Sequence, residues 1–254
     1  NLKRYQPDLV MLHPGQIDAY RHSTGVFSEK VNQGIYEADI HIGMVGKTLE
    51  ENGLLENTDI ILTSDHGQLD VTRRINFNVF LADKGFITAD KEGNILDWQA
   101  FALAGGTFLE VHLKNPEDKI LYEKVYKYLL HLRDEGIYGI SEVFTKQEIK
   151  EKEHLDGDFS FILESDNYTA FASNAVRPIL AAKNADDYRL GAATHGYLPD
   201  KGPQPVFYAK GPSFKSNVSL EKGNLIDIAP TLAKILNVNL DGADGNIMKE
   251  LLKK

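Results

Sequence analysis

Cysteine is absent from the 254 residues, which excludes a disulfide framework, a thiolate metal site, an iron–sulfur cluster and a cysteine nucleophile. The compartment stays open, because a secreted protein can also lack cysteine. No apolar run approaches ~18 residues, so the sequence predicts no membrane-spanning helix. A signal-peptide pattern is lacking as well. Basic residues are in the minority, with 28 Lys+Arg against 37 Asp+Glu and a net charge of −9. That balance argues against a nucleic-acid-binding surface. It still admits a small anionic substrate, because charge inside a cleft can oppose the net charge. Internal repeats, low-complexity tracts and charge blocks are missing too.

What is present reads as a soluble globular chain, with 42% hydrophobic and 26% charged residues. The length suits one large domain or two ordinary ones. The first residue is Asn1, in a basic stretch that runs into apolar sequence, and the chain reads as a segment of a longer protein.

Asp8–His13 is a short apolar run closed by Pro14-Gly15, and it predicts a buried strand. Val31, Ile35, Ile42, Val45 and Leu49 recur at helical spacing, with Asn52-Gly53 as the stop. Asp59–Ser64 predicts a second buried strand that runs into Asp65-His66-Gly67. Strand, helix, strand in this order implies a crossover and a parallel sheet. Phe77–Leu81 is a further strand candidate.

The middle of the chain changes character. Asn115-Pro116 opens a helix carrying Ile120, Leu121, Val125 and Leu129. Thr145 and Glu148 form a capping box. Phe159–Leu163 and Tyr168–Phe171 alternate like a hairpin. The expected division is a metal-binding α/β core over 1–85, an α+β cap insertion over 86–176, and a return to the core over 177–254. One continuous core fits the patterning nearly as well. A strand over Val206–Ala209 and a helix over Asp227–Leu236, with Pro230 in its first turn, complete the reading.

Three clusters carry chemistry. Asp18 and His22 are four residues apart, which places both on one face of a helical turn. Such a pair can reach one metal ion, although a solvated Asp beside a capping His has the same spacing. Asp65-His66 follows a strand, where ligands gather at the carboxyl end of a parallel sheet. An Asp that caps the next helix beside an incidental His fits equally well. His195 precedes Gly196 in a loop, and most loop histidines are solvated. Together the clusters offer only oxygen and nitrogen donors, which suit zinc, manganese or magnesium. Asp18, His22 and His195 make a three-ligand set with an open position, the composition of a catalytic site. Asp65 and His66 offer a second ion only two ligands. Tyr197 and His13 lie near these positions, with a structural role the simpler reading for Tyr197.

The order of these motifs resembles the alkaline phosphatase superfamily. More closely, it is similar to the type I phosphodiesterase/nucleotide pyrophosphatase family. Supporting stretches are Arg74–Leu81, Lys84-Gly85-Phe86, Thr194–Pro199, Ala209–Pro212 and Asp227–Ala233. The likeness runs from about Pro7 to Gly245. It implies a three-layer α/β/α sandwich of alkaline phosphatase type, with 86–176 as an α+β cap over the site. It implies two divalent ions, zinc by family habit, with Asp18, His22 and His195 on one and Asp65 and His66 on the other. The family's Thr or Ser nucleophile and one further Asp lie upstream of the first motif, and no residue before Asp18 fits that nucleophile. The implied activity is hydrolysis of phosphodiester or pyrophosphate bonds, with a small phosphorylated substrate such as a nucleotide. Phosphonate or phosphate monoester hydrolysis and a non-catalytic metal-binding module are the alternatives.

Overall fold

The computed structural model describes residues 2–181 and 192–253. In chain order the helices are α1 (Leu2–Tyr5), α2 (Gln16–Thr24), α3 (Glu29–Glu51), α4 (Asn78–Asp83), α5 (Lys119–Asp134), α6 (Lys146–Glu153) and α7 (Ile228–Leu236). The early strands are β1 (Ile60–Thr63), β2 (Leu69–Asp70), β3 (Arg73–Asn76), β4 (Ile87–Ala89), β5 (Ile95–Trp98), β6 (Ala100–Ala104) and β7 (Phe108–Leu113). The later ones are β8 (Ile140–Thr145), β9 (Phe161–Ser165), β10 (Thr169–Ala172), β11 (Leu180–Ala181), β12 (Ala193–Thr194) and β13 (Phe207–Lys210). The architecture is mixed α/β. It divides into two compact units, one of Asn1–Pro14, Ile35–His66 and Gln204–Lys254, the other of Gly15–Gly34 and Gly67–Pro203.

In the first unit β1 pairs antiparallel with β13, from Ile60 opposite Lys210 to Thr63 opposite Phe207. This corrects the parallel pairing expected for Asp59–Ser64. Asp8–His13 forms no strand, and Leu9, Val10, Met11 and Leu12 are exposed. A strand needs a hydrogen-bonded neighbour, and apolar character alone does not supply one. Helix α3 is present and ends as expected: Gly53 takes φ +68°, and the Leu54 amide donates to the Leu49 carbonyl at 2.8 Å. Val31 and Leu49 are buried on it, whereas Ile35 and Ile42 are exposed. Helix α7 starts as predicted, with Pro230 in its first turn. The Thr231 hydroxyl donates to the Asp227 carbonyl, and the Met248 amide donates to that hydroxyl at 2.9 Å, which ties down the chain's last turns.

The second unit holds the larger core. Four antiparallel strands run in the order β6-β7-β9-β8. Along β7, Leu109, Val111 and Leu113 are buried and alternate with half-buried Phe108, Glu110 and His112. That period of two lays one face of the sheet against Val125, Leu129 and Leu132 of α5. Helix α5 starts at Asp118, whose carboxylate accepts from the Ile120 and Leu121 amides. The capping box at α6 is present in full: Thr145 accepts from the Glu148 amide, and the Glu148 carboxylate accepts from the Thr145 amide. β3 lies between β10, parallel to it, and β11, antiparallel.

Two expectations for this unit are corrected. Phe77–Leu81 is not a strand but leads into α4. Phe77, Phe80 and Leu81 stand at helical spacing and all point into the core. The Asn78 side chain locks the turn, donating to the Ala102 and Ser173 carbonyls and accepting from the Ala102 amide. Phe159–Phe171 is not a hairpin, since β9 sits between β7 and β8 while β10 joins β3. Asn167, at φ +67°, turns the chain away between them.

Candidate metal centre

Asp18 enters from the first turn of α2, where a carboxylate suits the positive end of the helix dipole. His22 follows one turn later on the same face and is 3% exposed. Its Nδ1–H donates to the Ala193 carbonyl at 2.7 Å, across 171 residues of chain. The Ala192 amide returns a bond to the His22 carbonyl at 2.6 Å. A carbonyl can only accept, so Nδ1 carries a proton, and Nε2 is the ring atom that faces the cluster. That Nε2 lies 3.4 Å from Asp18 Oδ1.

His195 is delivered by the loop after β12, which is held against β2 with Thr194 opposite Leu69. Its Nε2 is 4.0 Å from the same Asp18 oxygen, and its ring centroid is 5.3 Å from that of His22. One ligand atom from each of Asp18, His22 and His195 lies within 4.8 Å of the others. Tetrahedral ligands at zinc distances stand about 3.3 Å apart, so small side-chain rotations bring these atoms to coordination geometry. Two imidazoles and a carboxylate, one imidazole with its proton already committed, fit a divalent ion with room for a further ligand. Gln68, also 3% exposed, donates to Asp18 Oδ1 at 3.0 Å, the same oxygen that faces the two imidazoles, and so braces the carboxylate. Nothing in the Asp-His-Gly motif marks the next residue, so sequence reasoning misses Gln68. It also misses the Ala193 carbonyl, which has no sequence signature.

Asp65 and His66 lie just past β1, in the first unit. Asp65 Oδ2 stands 3.5 Å from His66 Nε2, and Asp65 Oδ1 accepts from the His66 amide at 3.2 Å. The Asp65 side chain is 70% exposed. Gly67 follows, and it is needed for room: a Cβ there would run into the Pro203 carbonyl oxygen and the Tyr197 hydroxyl. That hydroxyl donates to the Pro203 carbonyl at 2.7 Å, so Tyr197 closes a turn. Burial pushes its phenol above the ordinary range. His13 sits in exposed irregular chain, and His112 and His131 pair with Glu110 and Glu135.

The fold matches murine ectonucleotide pyrophosphatase/phosphodiesterase 5 with a TM-score of 0.69 at 24% identity, covering 93% of this chain and 56% of that one. A second structure of the murine protein, in complex with AMP, matches with a TM-score of 0.67 at 22% identity over the same shares. In sequence, family member 5 from Homo sapiens is 26% identical over 91% of this chain and 43% of its own length. The venom phosphodiesterase of Macrovipera lebetinus is 25% identical over 99% of this chain and 28% of its own. The chain thus spans half or less of these curated relatives. The family description "Type I phosphodiesterase / nucleotide pyrophosphatase" matches residues 1–198. On that match, and with the fold in agreement, this chain belongs to the type I phosphodiesterase/nucleotide pyrophosphatase family of the alkaline phosphatase superfamily.

Proposed function

We propose that the chain carries metal-binding machinery for hydrolysing phosphodiester or pyrophosphate bonds of nucleotides. The observation that carries this reading is the convergence of Asp18, His22 and His195 within 4.8 Å. In this proposal those residues hold one divalent ion, zinc by family resemblance, and Asp65 and His66 serve a second. An ion so held supplies Lewis-acid stabilisation of charge on phosphoryl oxygens. The chain's own part is to present the ligands. His22 commits Nδ1–H to Ala193 and offers Nε2. Asp18 keeps its carboxylate aimed through Gln68. The His195 loop completes the set. The Thr or Ser nucleophile that the family resemblance calls for, upstream of this chain, belongs to the same proposal. So does a cap role for 86–176. The AMP complex of the murine relative supports a nucleotide substrate.

The test is metal stoichiometry by elemental mass spectrometry, with an Asp18→Ala/His195→Ala variant alongside, followed by AMP binding to both zinc-treated proteins. Zinc that is lost in the variant, together with AMP binding that follows the zinc, supports the reading. Equal zinc in both proteins, or none in either, defeats it.

A further inference from the structure

Two of the three clustered residues stand on a helix, which fixes their backbone. The third, His195, stands on a loop, and its placement needs an outside hold. The structure supplies one at both ends of that loop. The Thr107 amide and hydroxyl both donate to the His195 carbonyl, at 3.0 and 3.2 Å. Gly106 at φ +99° and Gly196 at φ +104° let the two backbones meet. A Cβ on Gly106 would strike the His195 carbonyl oxygen. Three residues past His195, the Leu198 amide donates to Glu164 Oε1 at 2.7 Å. Lys201 Nζ stands 3.3 Å from Glu164 Oε2 and donates to Ser141 Oγ at 3.2 Å.

Glu164 is 1% exposed, next to last in β9. A buried carboxylate is costly, and an apolar residue at that place in the sheet would avoid the cost. Burial pushes its carboxyl above the usual range, with the Leu198 amide and Lys201 pulling it back. Its neighbour Ser165 donates its amide to the Thr107 carbonyl at 2.9 Å, so the same strand also steadies the first clasp. A group this expensive, spent on the backbone just beyond His195, points to a role in placing that loop.

We propose that Glu164 is a positioning residue for His195, acting through Leu198 and Lys201 to set the affinity and geometry of the metal centre. The proposal rests on the metal reading above. Its test compares the wild type with Glu164→Leu, Glu164→Gln and, as a control on the same sheet, Glu110→Gln. Zinc affinity is measured by competition with a chromophoric chelator, geometry by the visible spectrum of bound cobalt, and folding by thermal unfolding without metal. Loss of an outer-shell support weakens metal binding by about 10–100-fold. Glu164→Leu is therefore expected to bind zinc ~30-fold more weakly, with an altered cobalt spectrum. Glu164→Gln keeps the acceptor for Leu198 but not the charge that holds Lys201, and is expected to fall between, at ~5-fold. Glu110→Gln stays within about twofold of wild type. A merely structural Glu164 would lower the unfolding temperature and leave the affinity and spectrum of the folded protein alone. That result overturns the proposal. Should the Leu variant not fold, the isosteric Gln variant decides by the same readouts. If the wild type binds no metal, or Asp18→Ala binds it as well as wild type, the metal reading itself has failed. If Asp18→Ala loses metal while both Glu164 variants behave as wild type, only the positioning role has failed.

Discussion

Each unit of the molecule contains an Asp–His pair about 3.5 Å apart, yet the two pairs live in different settings. In the second unit His22 is buried, its partner His195 comes from a distant stretch of chain, and Gln68 and the Ala193 carbonyl hold Asp18 and His22 in place. In the first unit Asp65 and His66 are adjacent in sequence, Asp65 is largely exposed, and the amide of the very next residue donates to Asp65. The hydrophobic setting differs in the same direction. Leu109, Val111, Val125 and Leu129 in the second unit are fully buried, whereas Leu9 to Leu12 and Leu62 in the first are exposed. The lesson is that residue type and spacing do not distinguish a preorganised site from a local contact. The difference comes from what holds the side chains.

The largest effect expected from this contrast is on stability. Leu129→Ala empties a fully buried position of α5 and should cost about 3 kcal/mol in urea unfolding. Met11→Ala, at an exposed position, should stay within ~0.5 kcal/mol. Similar losses for both would break the distinction between the units. Next comes metal affinity. On the proposed metal centre, Asp18→Ala should weaken the tighter zinc site by at least ~100-fold in titration calorimetry, because the proposal makes Asp18 a direct ligand in a three-ligand set. Asp65→Ala should change that site by less than ~10-fold. The reverse order would move the centre of the site to the first unit. A smaller change is expected from Gln68→Leu, which keeps all three proposed ligands and removes only the brace on Asp18. Zinc affinity should fall ~10-fold, with the metal-free unfolding midpoint nearly unmoved. An unchanged affinity would mean that the carboxylate is aimed without help.

Much of this was legible in the sequence where the signal is local. The i, i+4 spacing of Asp18 and His22, the Thr145–Glu148 capping box, the Gly53 stop and the Pro230 helix start are all contained in a few neighbouring residues, and each appears in the structure. His195 was legible only by joining it to distant motifs. The failures are tertiary. Phe77–Leu81 has strand-like composition, but the core takes Phe77, Phe80 and Leu81 at helical spacing. Phe159–Phe171 alternates like a hairpin, but its two strands find partners in different sheets. Asp8–His13 is apolar enough for a strand and has no strand partner among the described residues. Gln68 and Glu164 left no mark, because a buried polar side chain is recognised by its partners and those lie 50 and 34 residues away.

The smallest expected effect tests whether exposure alone makes the Asp65 setting weak. Asp156 is a second exposed aspartate, but two cations hold it. Lys150 Nζ lies 2.6 Å from one oxygen, Lys146 Nζ lies 3.2 Å from the other, and the Gly157 amide donates at 2.9 Å. The bond from Lys150, then that from Lys146, holds its carboxyl down at about 2. A depressed carboxyl favours the folded state once it is ionised there and in the unfolded chain. The contribution is therefore complete above the unfolded value of 3.8 and disappears as pH falls through about 2. Asp156→Asn should thus unfold at lower urea than wild type at pH 5, and the gap should narrow steadily between pH 4 and pH 2. Raising the salt concentration at pH 5 should narrow it as well, since these charges face water. Asp65→Asn, with one imidazole beside it and no lysine bond among the described residues, should open a smaller gap at pH 5. If the two variants open equal gaps, or if the Asp156 gap does not depend on pH, then the number of cations around an exposed carboxylate is not what separates these settings. The contrast between the units would then rest on burial alone.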